Sequence, residues 1–301
     1  MARMRPGVRT PTDAARWLVG AAKAVDRGVL FPSPGRAAPR PAPLGSDDPW
    51  PALGPAARLL REYRTVVRST HRVAIPGLTE PISLLQVSDA HLRWPGRHLD
   101  ALCEALSTAS ADAVLLTGDT VTGGWRRAVA DQLLDALPPT RFGAFSVTGN
   151  WERIYDAPLT TWWEHLASRG VRVLDNAHVD LGPLLLAGVD DLCAGDCDPA
   201  AALDGAPMGR PIVVMAHSPE TFDQLRLPGV RLVLSGHSHG GQIRLGRLGA
   251  PWLPKGTGPY VMGWFEADGV HLFVSRGLGW SLLPIRWRCP PELARIELIP
   301  A

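Results

Sequence analysis

The sequence predicts an α/β domain in which short buried strands alternate with amphipathic helices. Short apolar runs, such as residues 82–87 and 230–234, recur along the chain, as expected for parallel strands that are buried on both faces. Between these runs, apolar residues recur at helical spacing, for example Leu99, Leu102 and Leu106. The hydrophobic content of 46% over 301 residues is sufficient for a large core.

The predicted elements follow one another with short connections. The predicted strands are residues 63–75, 82–87, 113–116, 142–147, 171–173, 184–189, 212–215 and 230–234, a hairpin of 264–265 with 270–274, and a final strand at 295–299. The predicted helices are residues 98–110, 125–137, 159–168 and 218–225. Pro138 and Pro139 end the second helix, and Ser218 is the predicted N-cap of the fourth. Residues 251–260 are predicted to form a loop beside the ligand edge of the sheet.

Residues 1–57 are predicted to be a basic N-terminal arm, and residues 58–301 the globular domain. Thirteen of the 31 Lys and Arg residues, but only five of the 29 Asp and Glu residues, lie in residues 1–75. Residues 12–31 show the pattern of a short amphipathic helix, which either contacts a membrane surface peripherally or packs on the domain. The prolines that recur from 32 to 55 predict a semi-rigid linker.

The sequence contains no apolar run of eighteen residues, so no transmembrane segment is predicted. The four cysteines are too scattered for a disulfide framework, which indicates a reducing compartment and a cytoplasmic location, with peripheral membrane association left open. Cys193 and Cys197 are spaced for a disulfide or a metal site, or are ordinary loop residues.

Polar side chains follow directly after each of the five strongest apolar runs. They are Asp89 and His91 after the first run, Asp119, Asn150 and His217 after the next three, and His237 and His239 after the last. Because the carboxyl ends of the strands line one edge of an open α/β sheet, we expect these seven side chains to converge on one crevice.

The chemistry of these side chains favours two divalent metal ions. Carboxylate and amide oxygens are hard ligands, imidazoles are intermediate and no thiolate is among them, so Mn, Fe or Zn is expected. Two ions about 3.5–4 Å apart can share a hydroxide that attacks phosphorus, and one carboxylate must then bridge the ions. The sequence therefore predicts a phosphoester hydrolase whose nucleophile is a metal-bridging hydroxide.

The blocks that contain these residues resemble the motifs of the calcineurin-like metallophosphoesterases. They are Asp89-Ala90-His91, Gly118-Asp119, Gly149-Asn150, His217 and Gly236-His237-Ser238-His239. The segments 240–242, 274–279 and 290–292 look like the YkuE/YaeI-like subgroup of bacterial phosphodiesterases, and the similarity extends from about Arg64 to Ile299. This resemblance implies a two-sheet β-sandwich flanked by helices, the four-layer fold of that family.

The resemblance also implies a role for each side chain. One ion would be held by Asp89, His91 and His239. The other would be held by Asn150, His217 and His237, and Asp119 would bridge the two. Asp119, Asn150 and His217 would surround the bridging hydroxide during catalysis.

One position departs from the family pattern. Members of the family usually have histidine after the Gly-Asn pair, where this sequence has Trp151. Because tryptophan cannot donate a transferable proton, Glu152, Arg153 and His98 are alternative proton donors. Leaving groups of low pKa need acid catalysis least, so Trp151 favours activated phosphodiesters or pyrophosphates as substrates.

Two other functions are consistent with parts of the sequence. A non-catalytic metal-binding scaffold with the same fold would account for Trp151, and a nuclease would use the basic arm as a tether. Residues 58–301 lack an evident basic groove interleaved with aromatic residues, so nucleic acid is not the favoured partner. The expected substrate is a small-molecule or lipid-linked phosphoester, and the oligomeric state is not predicted.

Overall fold

Two β-sheets packed face to face form the centre of the molecule. The computed structural model describes residues 28–30, 44–122, 125–153, 158–207 and 209–301. Within these residues one sheet has seven strands and the other has six, and two further short strands pair with each other. The two main sheets are flanked by helices, which confirms the predicted fold class.

The described strands and helices are numbered in chain order. The strands are β1 (Gly28–Leu30), β2 (Ser46–Asp47), β3 (Val67–Ile75), β4 (Ile82–Val87), β5 (Ala113–Thr117), β6 (Ala144–Val147), β7 (Val171–Val173), β8 (Ala177–Asp180), β9 (Leu185–Gly188), β10 (Ile212–Met215), β11 (Val230–Ser235), β12 (Trp252–Pro254), β13 (Gly263–Ala267), β14 (Val270–Val274) and β15 (Glu292–Pro300). The helices are α1 (Pro55–Arg61), α2 (Arg97–Ser107), α3 (Arg127–Asp135), α4 (Asn150–Arg153), α5 (Leu159–Ser168) and α6 (Pro199–Leu203). Short 3-10 segments comprise Glu62–Arg64, Pro219–Gln224, His239–Gly241 and Gly246–Leu248.

The central strands of each sheet run parallel and end at a common edge. The seven-stranded sheet has the order β2-β3-β15-β4-β5-β6-β7, and the six-stranded sheet has the order β13-β14-β11-β10-β9-β8. In the first sheet, β4, β5 and β6 are parallel neighbours, and in the second β9, β10, β11 and β14 are parallel neighbours. The loops that follow β4, β5 and β6 therefore leave from the same side of the sheet.

Side chains along each strand point alternately to the two faces of the sheet, and this alternation produces the four layers of two sheets and two sets of helices. In β4, Leu84 packs in the cluster between the two sheets, whereas Leu85 packs against the helices on the outer face. The same alternation places Val213 of β10 between the sheets and Val214 on the outer side, against Phe222 and Leu225. Successive side chains of a strand point to opposite faces, so a strand buried on both faces must be apolar throughout.

Most of the predicted strands and helices lie where the sequence indicated. The bounds of 82–87, 159–168, 171–173 and 212–215 agree with the structure residue for residue. The predicted hairpin across Asp268-Gly269 is also confirmed, since β13 and β14 pair antiparallel there. No helix in the described ranges is both long enough and apolar enough to cross a membrane.

Two local predictions are wrong, and a third lies largely outside the described residues. The strand expected from Tyr63 begins only at Val67, because residues 62–64 form a 3-10 turn. The fourth predicted helix is a 3-10 segment, and the Ser218 hydroxyl donates to Asp191 Oδ1 at 2.7 Å instead of capping it. The amphipathic helix expected at 12–31 lies outside the described residues except at Gly28–Leu30, which forms a strand paired antiparallel with Trp252–Pro254.

Candidate metal centre

The seven predicted ligands meet where the carboxyl ends of the two sheets face each other. Asp89, His91, Asp119 and Asn150 follow strands of the seven-stranded sheet, whereas His217, His237 and His239 follow β10 and β11 of the six-stranded sheet. The sequence indicated a single sheet edge for all of them. The structure corrects this, because the crevice lies between the ends of two sheets, and each sheet supplies part of the ligand set.

Asp89, His91 and His239 form the first cluster that can hold a metal ion. One ligand atom from each of the three buried side chains lies within 4.8 Å of the other two. The Nε2 atoms of His91 and His239 are 2.9 Å apart, and His239 Nε2 is 3.5 Å from Asp89 Oδ1. Nitrogen ligands about 2 Å from one metal ion lie about 3 Å from each other, so this spacing fits a shared ion.

Asp119, His217 and His237 form the second cluster, and Asn150 lies beside it. His217 Nε2 is 3.2 Å from Asp119 Oδ2 and 3.1 Å from His237 Nδ1. It also lies 3.1 Å from Asn150 Oδ1, so the amide oxygen faces the same position. Two imidazoles, one carboxylate and one amide thus surround a second point suited to a divalent ion.

Asp119 lies between the two clusters. Its Oδ2 atom is 3.6 Å from His91 Nε2 in the first cluster and 3.2 Å from His217 Nε2 in the second. Its other oxygen, Oδ1, accepts a hydrogen bond of 2.8 Å from the backbone N–H of Trp151. One carboxylate oxygen is therefore held by the backbone while the other faces both clusters.

Burial governs the charge state of these groups. Burial raises the pKa of Asp89 to about 6 and lowers the pKa of His91 to about 4. Burial also acts to raise the pKa of Asp119, but the neighbouring His217 outweighs it and brings that pKa down to about 2. The neutral His91 imidazole and the ionised Asp119 carboxylate are in the protonation states that metal ligation requires. Burial acts to lower the pKa of His217, but Asp119 outweighs it and raises that pKa well above its usual range, so His217 must release a proton before it can bind an ion.

The ring nitrogens that face away from the clusters are held by other groups. His217 Nδ1 lies 2.8 Å from the Thr117 carbonyl oxygen, and His91 Nδ1 lies 3.2 Å from Thr122 Oγ1. His237 is turned the other way, so its Nε2 lies 2.8 Å from the Lys255 carbonyl oxygen while Nδ1 faces the cluster. Such partners fix the orientation of each imidazole and the nitrogen that is left for a metal ion.

Five of the seven side chains are carried on strained backbone. Asp89, His91, Asp119, His237 and His239 all have φ between 47° and 66°. This left-handed region is uncommon for residues other than glycine, and such strain is concentrated at functional sites. In the loops after β4, β5 and β11, an unfavourable backbone conformation therefore directs these side chains into the crevice.

Two glycines allow the loops to pack closely around the clusters. A Cβ added at Gly149 would overlap Asp119, and one added at Gly236 would overlap Ser88 and Asp89. The backbone N–H of His237, directly after Gly236, donates to the Asp89 carboxylate at 2.9 Å. Glycine is thus required at both positions, because the neighbouring loops lie so close that a Cβ atom would overlap them.

A cavity of about 250 Å³ opens onto the clusters. Its wall includes Asp119, Asn150, His237 and His239, together with Trp151, Cys193, Trp252 and Lys255. The predicted loop at 251–260 therefore lies beside the ligand edge, as expected, although part of it is strand β12. Cys193 and Cys197 are both free thiols, so of the alternatives for this pair the disulfide is not formed.

Trp151 occupies the wall of this cavity at the position where the family pattern has histidine. Its indole is buried and meets the His91 ring edge to face, with ring centroids 5.4 Å apart. The indole therefore covers one side of a predicted ligand. Tryptophan at this position shapes the cavity and restricts the movement of the His91 ring.

The three alternative proton donors lie away from the cavity wall. Arg153 forms an ion pair with Asp190. His98 lies in a neighbouring cavity, where its ring contacts Trp280 at a centroid distance of 4.6 Å. Burial and the charge of Asp119 raise the pKa of Glu152, but backbone N–H groups donate to both of its oxygens, which favours an ionised carboxylate turned towards the backbone.

Glu152 accepts hydrogen bonds from four backbone N–H groups. The donors are Asp119 at 3.0 Å, Thr120 at 2.6 Å, Val121 at 3.2 Å and Gly149 at 3.0 Å. One carboxylate thus ties the loop after β5 to the loop after β6. The sequence indicates Glu152 only as a proton donor, since the spacing of residues does not show that the Asp119 loop folds over it.

Exchange of Glu152 for glutamine is expected to lower kcat or the affinity for Mn by about 10–100-fold. The amide would turn one N–H donor towards the backbone N–H groups that now meet a carboxylate, which would loosen the Asp119 loop. The measurement is the Mn dependence of the rate. Glu164→Gln, at an exposed position on α5, is the control. It should leave kcat and the affinity for Mn within about twofold of the native values. An unchanged Mn curve in the Glu152 variant would disprove the positioning role.

The chain is similar in sequence to known phosphoesterases. The model of the calcineurin-like phosphoesterase family matches residues 82–241 of this chain. Phosphodiesterase YaeI of Escherichia coli (strain K12) is 35% identical over 202 residues, which is 62% of this chain and 70% of YaeI. The metallophosphoesterase YkuE of Bacillus subtilis (strain 168) is 28% identical over 236 residues, which is 74% of this chain and 81% of YkuE. Among solved structures, a dimetal phosphatase from Danio rerio aligns with a TM-score of 0.40 and 12% identity, covering 65% of this chain and 88% of the phosphatase.

Proposed function

Because this chain belongs to the calcineurin-like phosphoesterase family, we propose that it is a metal-dependent phosphoric ester hydrolase that cleaves phosphodiesters or pyrophosphates at the crevice between its sheets. One observation carries the proposal. A single oxygen of Asp119 faces ligand atoms of both clusters, at 3.6 Å and 3.2 Å. This arrangement suits a pair of divalent ions joined by one carboxylate, which is the form of site that phosphoester hydrolysis uses.

The proposed ligand assignment divides the side chains between two ions. One ion would be held by Asp89, His91 and His239. The other would be held by Asn150, His217 and His237, and Asp119 would be shared by both. The donor set is composed of oxygen and imidazole nitrogen, which favours Mn, Fe or Zn. When bound, such ions activate water and neutralise the charge that develops on a phosphoryl group.

Hydrogen bonds within the protein orient the proposed metal ligands. The N–H of Trp151 holds Asp119 Oδ1, so that Oδ2 stays aimed between the clusters. The N–H of His237 holds Asp89, and the Lys255 carbonyl oxygen holds His237. Glu152 keeps the Asp119 loop in place. Preorganised groups of this kind cost no rearrangement at the moment of reaction, which is why the arrangement favours catalysis over simple metal storage.

Trp151 supports the proposed preference for activated bonds. The cavity wall has an indole where a proton-donating imidazole would assist an alkoxide leaving group. General acid catalysis contributes about 10²–10⁴-fold in rate, and leaving groups of low pKa lose least of it. Aryl diesters and pyrophosphates have such leaving groups, whereas alkyl monoesters do not.

A panel of substrates tests this preference. With Mn-loaded enzyme, kcat/KM for bis(4-nitrophenyl) phosphate or a nucleotide pyrophosphate is expected to exceed that for glycerol phosphate by at least about 100-fold, since the alkyl alkoxide has no acid to protonate it. Trp151→His should narrow this ratio by raising the alkyl rate. If glycerol phosphate is the best substrate of the native enzyme, the proposed preference is wrong.

We propose in addition that residues 12–31 make peripheral contact with a membrane. Their pattern of arginines and apolar residues around Trp17 supports this proposal. Sedimentation with anionic vesicles, compared between the full chain and a chain that begins at residue 44, tests it. Equal binding of the two proteins would contradict it.

A further inference from the structure

Arg286 carries a fully buried guanidinium group. Its Nε and Nη2 atoms donate to the Gly279 carbonyl oxygen at 2.8 Å and 2.6 Å, and Nη2 also donates to the Gly277 carbonyl oxygen at 3.1 Å. Its Nη1 atom donates to the Cys289 carbonyl oxygen at 3.1 Å. A buried charge is costly unless hydrogen bonds offset its lost hydration. These acceptors are backbone oxygens, so Arg286 ties segments of the backbone together. Residues 277–279, which lie shortly after β14, are called the supporting segment.

The supporting segment is hydrogen-bonded to the loop that carries Asp89. The backbone N–H groups of Leu278 and Gly279 donate to the carbonyl oxygens of Ser88 and Asp89, at 2.9 Å and 2.7 Å. A Cβ added at Gly277 would overlap the Asp89 side chain, so the two segments are in close contact. The position of the supporting segment therefore sets the position of Asp89, which is a proposed ligand of the first cluster.

Arg286 also contacts His239, another proposed ligand of the first cluster. Its Nη2 atom lies 3.4 Å from His239 Nδ1, on the side of the ring away from the cluster. His239 Nε2 faces the cluster, 2.9 Å from His91 Nε2. The Cys289 thiol donates to the His239 carbonyl oxygen at 3.2 Å, and Arg286 holds the Cys289 carbonyl oxygen. Arg286 thus limits the movement of the His239 ring directly and of its backbone through Cys289.

We propose that Arg286 is a positioning residue that holds Asp89 and His239 at the spacing required by the ion of the first cluster. This inference rests on the proposed metal-dependent hydrolase function and deepens it, since it assigns the geometry of one ion site to a residue outside the ligand set. Asp89 follows a strand of the seven-stranded sheet and His239 follows a strand of the six-stranded sheet. A guanidinium group has five N–H donors in fixed directions, so one side chain can hold both loops at once.

The second cluster is held by other groups. The outer nitrogens of His217 and His237 lie 2.8 Å from the carbonyl oxygens of Thr117 and Lys255, respectively. The hydrogen bonds of Arg286 involve neither of these imidazoles. Loss of the guanidinium group should therefore weaken the first ion selectively, whereas a general loosening of the fold would weaken both ions.

Titration with Mn in two ligand-deleted backgrounds tests this proposal. His237→Ala removes a proposed ligand of the second ion only, and His91→Ala removes one of the first ion only. Arg286→Lys, which keeps the charge but cannot reach all the carbonyl oxygens, is added to each background, and the affinity for Mn is measured calorimetrically. In the His237→Ala background it is expected to weaken Mn binding at least about 10-fold, as is usual for groups that orient metal ligands. In the His91→Ala background the change should stay within about twofold.

The otherwise native chain provides a second measurement. Arg286→Lys should bind one Mn ion tightly where the native chain binds two. Two ions at native affinity, or equal losses in the two ligand-deleted backgrounds, would overturn the proposal. If Arg286→Lys does not fold, Arg286→Gln, which removes the buried charge altogether, takes its place with the same expectations.

Arg276→Lys is the matched control. Arg276 is also buried and directly precedes the supporting segment, but its guanidinium group donates to the Asp48 carboxylate at 2.6 Å and 2.7 Å and lies 3.4 Å from Glu292 Oε1. Its exchange should lower the melting temperature while the affinities for both Mn ions stay within about twofold. Selective loss of the first ion in this variant as well would contradict a specific role for Arg286.

Metal binding without substrate separates this proposal from the hydrolase proposal. If Arg286→Lys loses the first ion selectively but the native protein hydrolyses no phosphoester, the hydrolase proposal fails and the positioning role of Arg286 stands. If the native protein hydrolyses bis(4-nitrophenyl) phosphate and Arg286→Lys keeps two ions at native affinity, only the positioning role fails.

Discussion

Exchange of Asp119 for asparagine is expected to lower kcat by at least about 10³-fold, which corresponds to about 4 kcal/mol of lost stabilisation. Asparagine has nearly the same shape, so the hydrogen bond from the Trp151 N–H can persist. The substitution removes the negative charge from the oxygen that lies 3.6 Å from His91 Nε2 and 3.2 Å from His217 Nε2. Without that charge the two clusters no longer share an anionic ligand. The measurements are kcat with Mn and the metal content of the purified variant.

A second aspartate, at the other end of β5, provides the control. Asp112 directly precedes β5 and accepts a hydrogen bond of 2.8 Å from the backbone N–H of Ser83, whereas Asp119 follows β5 at the opposite end. Asp112→Asn should therefore leave kcat within about twofold, although it removes the same charge from a position next to the same strand. Native turnover and two bound ions in the Asp119 variant would show that the bridging assignment is wrong.

The second large effect is expected from the addition of one methyl group at Gly236. The Cβ of Gly236→Ala would overlap the Ser88 hydroxyl and the Asp89 carboxylate, so one of the two loops must move. Overpacking of this kind typically costs about 1–3 kcal/mol in the free energy of unfolding. Because Asp89 is a proposed ligand, we expect loss of one metal ion and a fall in kcat of at least about 100-fold, since displacement by about 1 Å can cost that much.

The control for this variant is Gly54→Ala, where an added Cβ meets no atom within 4 Å and the backbone is not left-handed. It should leave the melting temperature, the metal content and kcat unchanged. Metal analysis and thermal denaturation of the two variants in parallel provide the comparison. A Gly236 variant that retains two ions and native kcat would mean that the close packing of the Ser88 and Gly236 loops is unimportant for the centre.

The apolar pattern of the sequence is sufficient to predict the bounds of a strand where the strand is buried on both faces. The predicted bounds of residues 82–87 and 212–215 agree with the structure. A continuous apolar run of this length suits a strand that is buried on both faces. Prediction failed at elements whose form depends on distant partners. Ser218 was expected to cap a helix, but its hydroxyl is engaged by Asp191, and Gly28–Leu30 is a strand because Trp252–Pro254 lies beside it.

The amino-acid sequence by itself indicated the side chains that we propose as metal ligands, and it showed that each of them follows an apolar run. Residue type and order suffice for this, since hydrophobic runs and their flanking glycines are local properties. Only the tertiary structure decided that the ligands come from two sheets, that Glu152 clamps the Asp119 loop, and that Arg286 contacts His239. These features depend on distances between segments far apart in the chain, and packing of the whole core sets those distances.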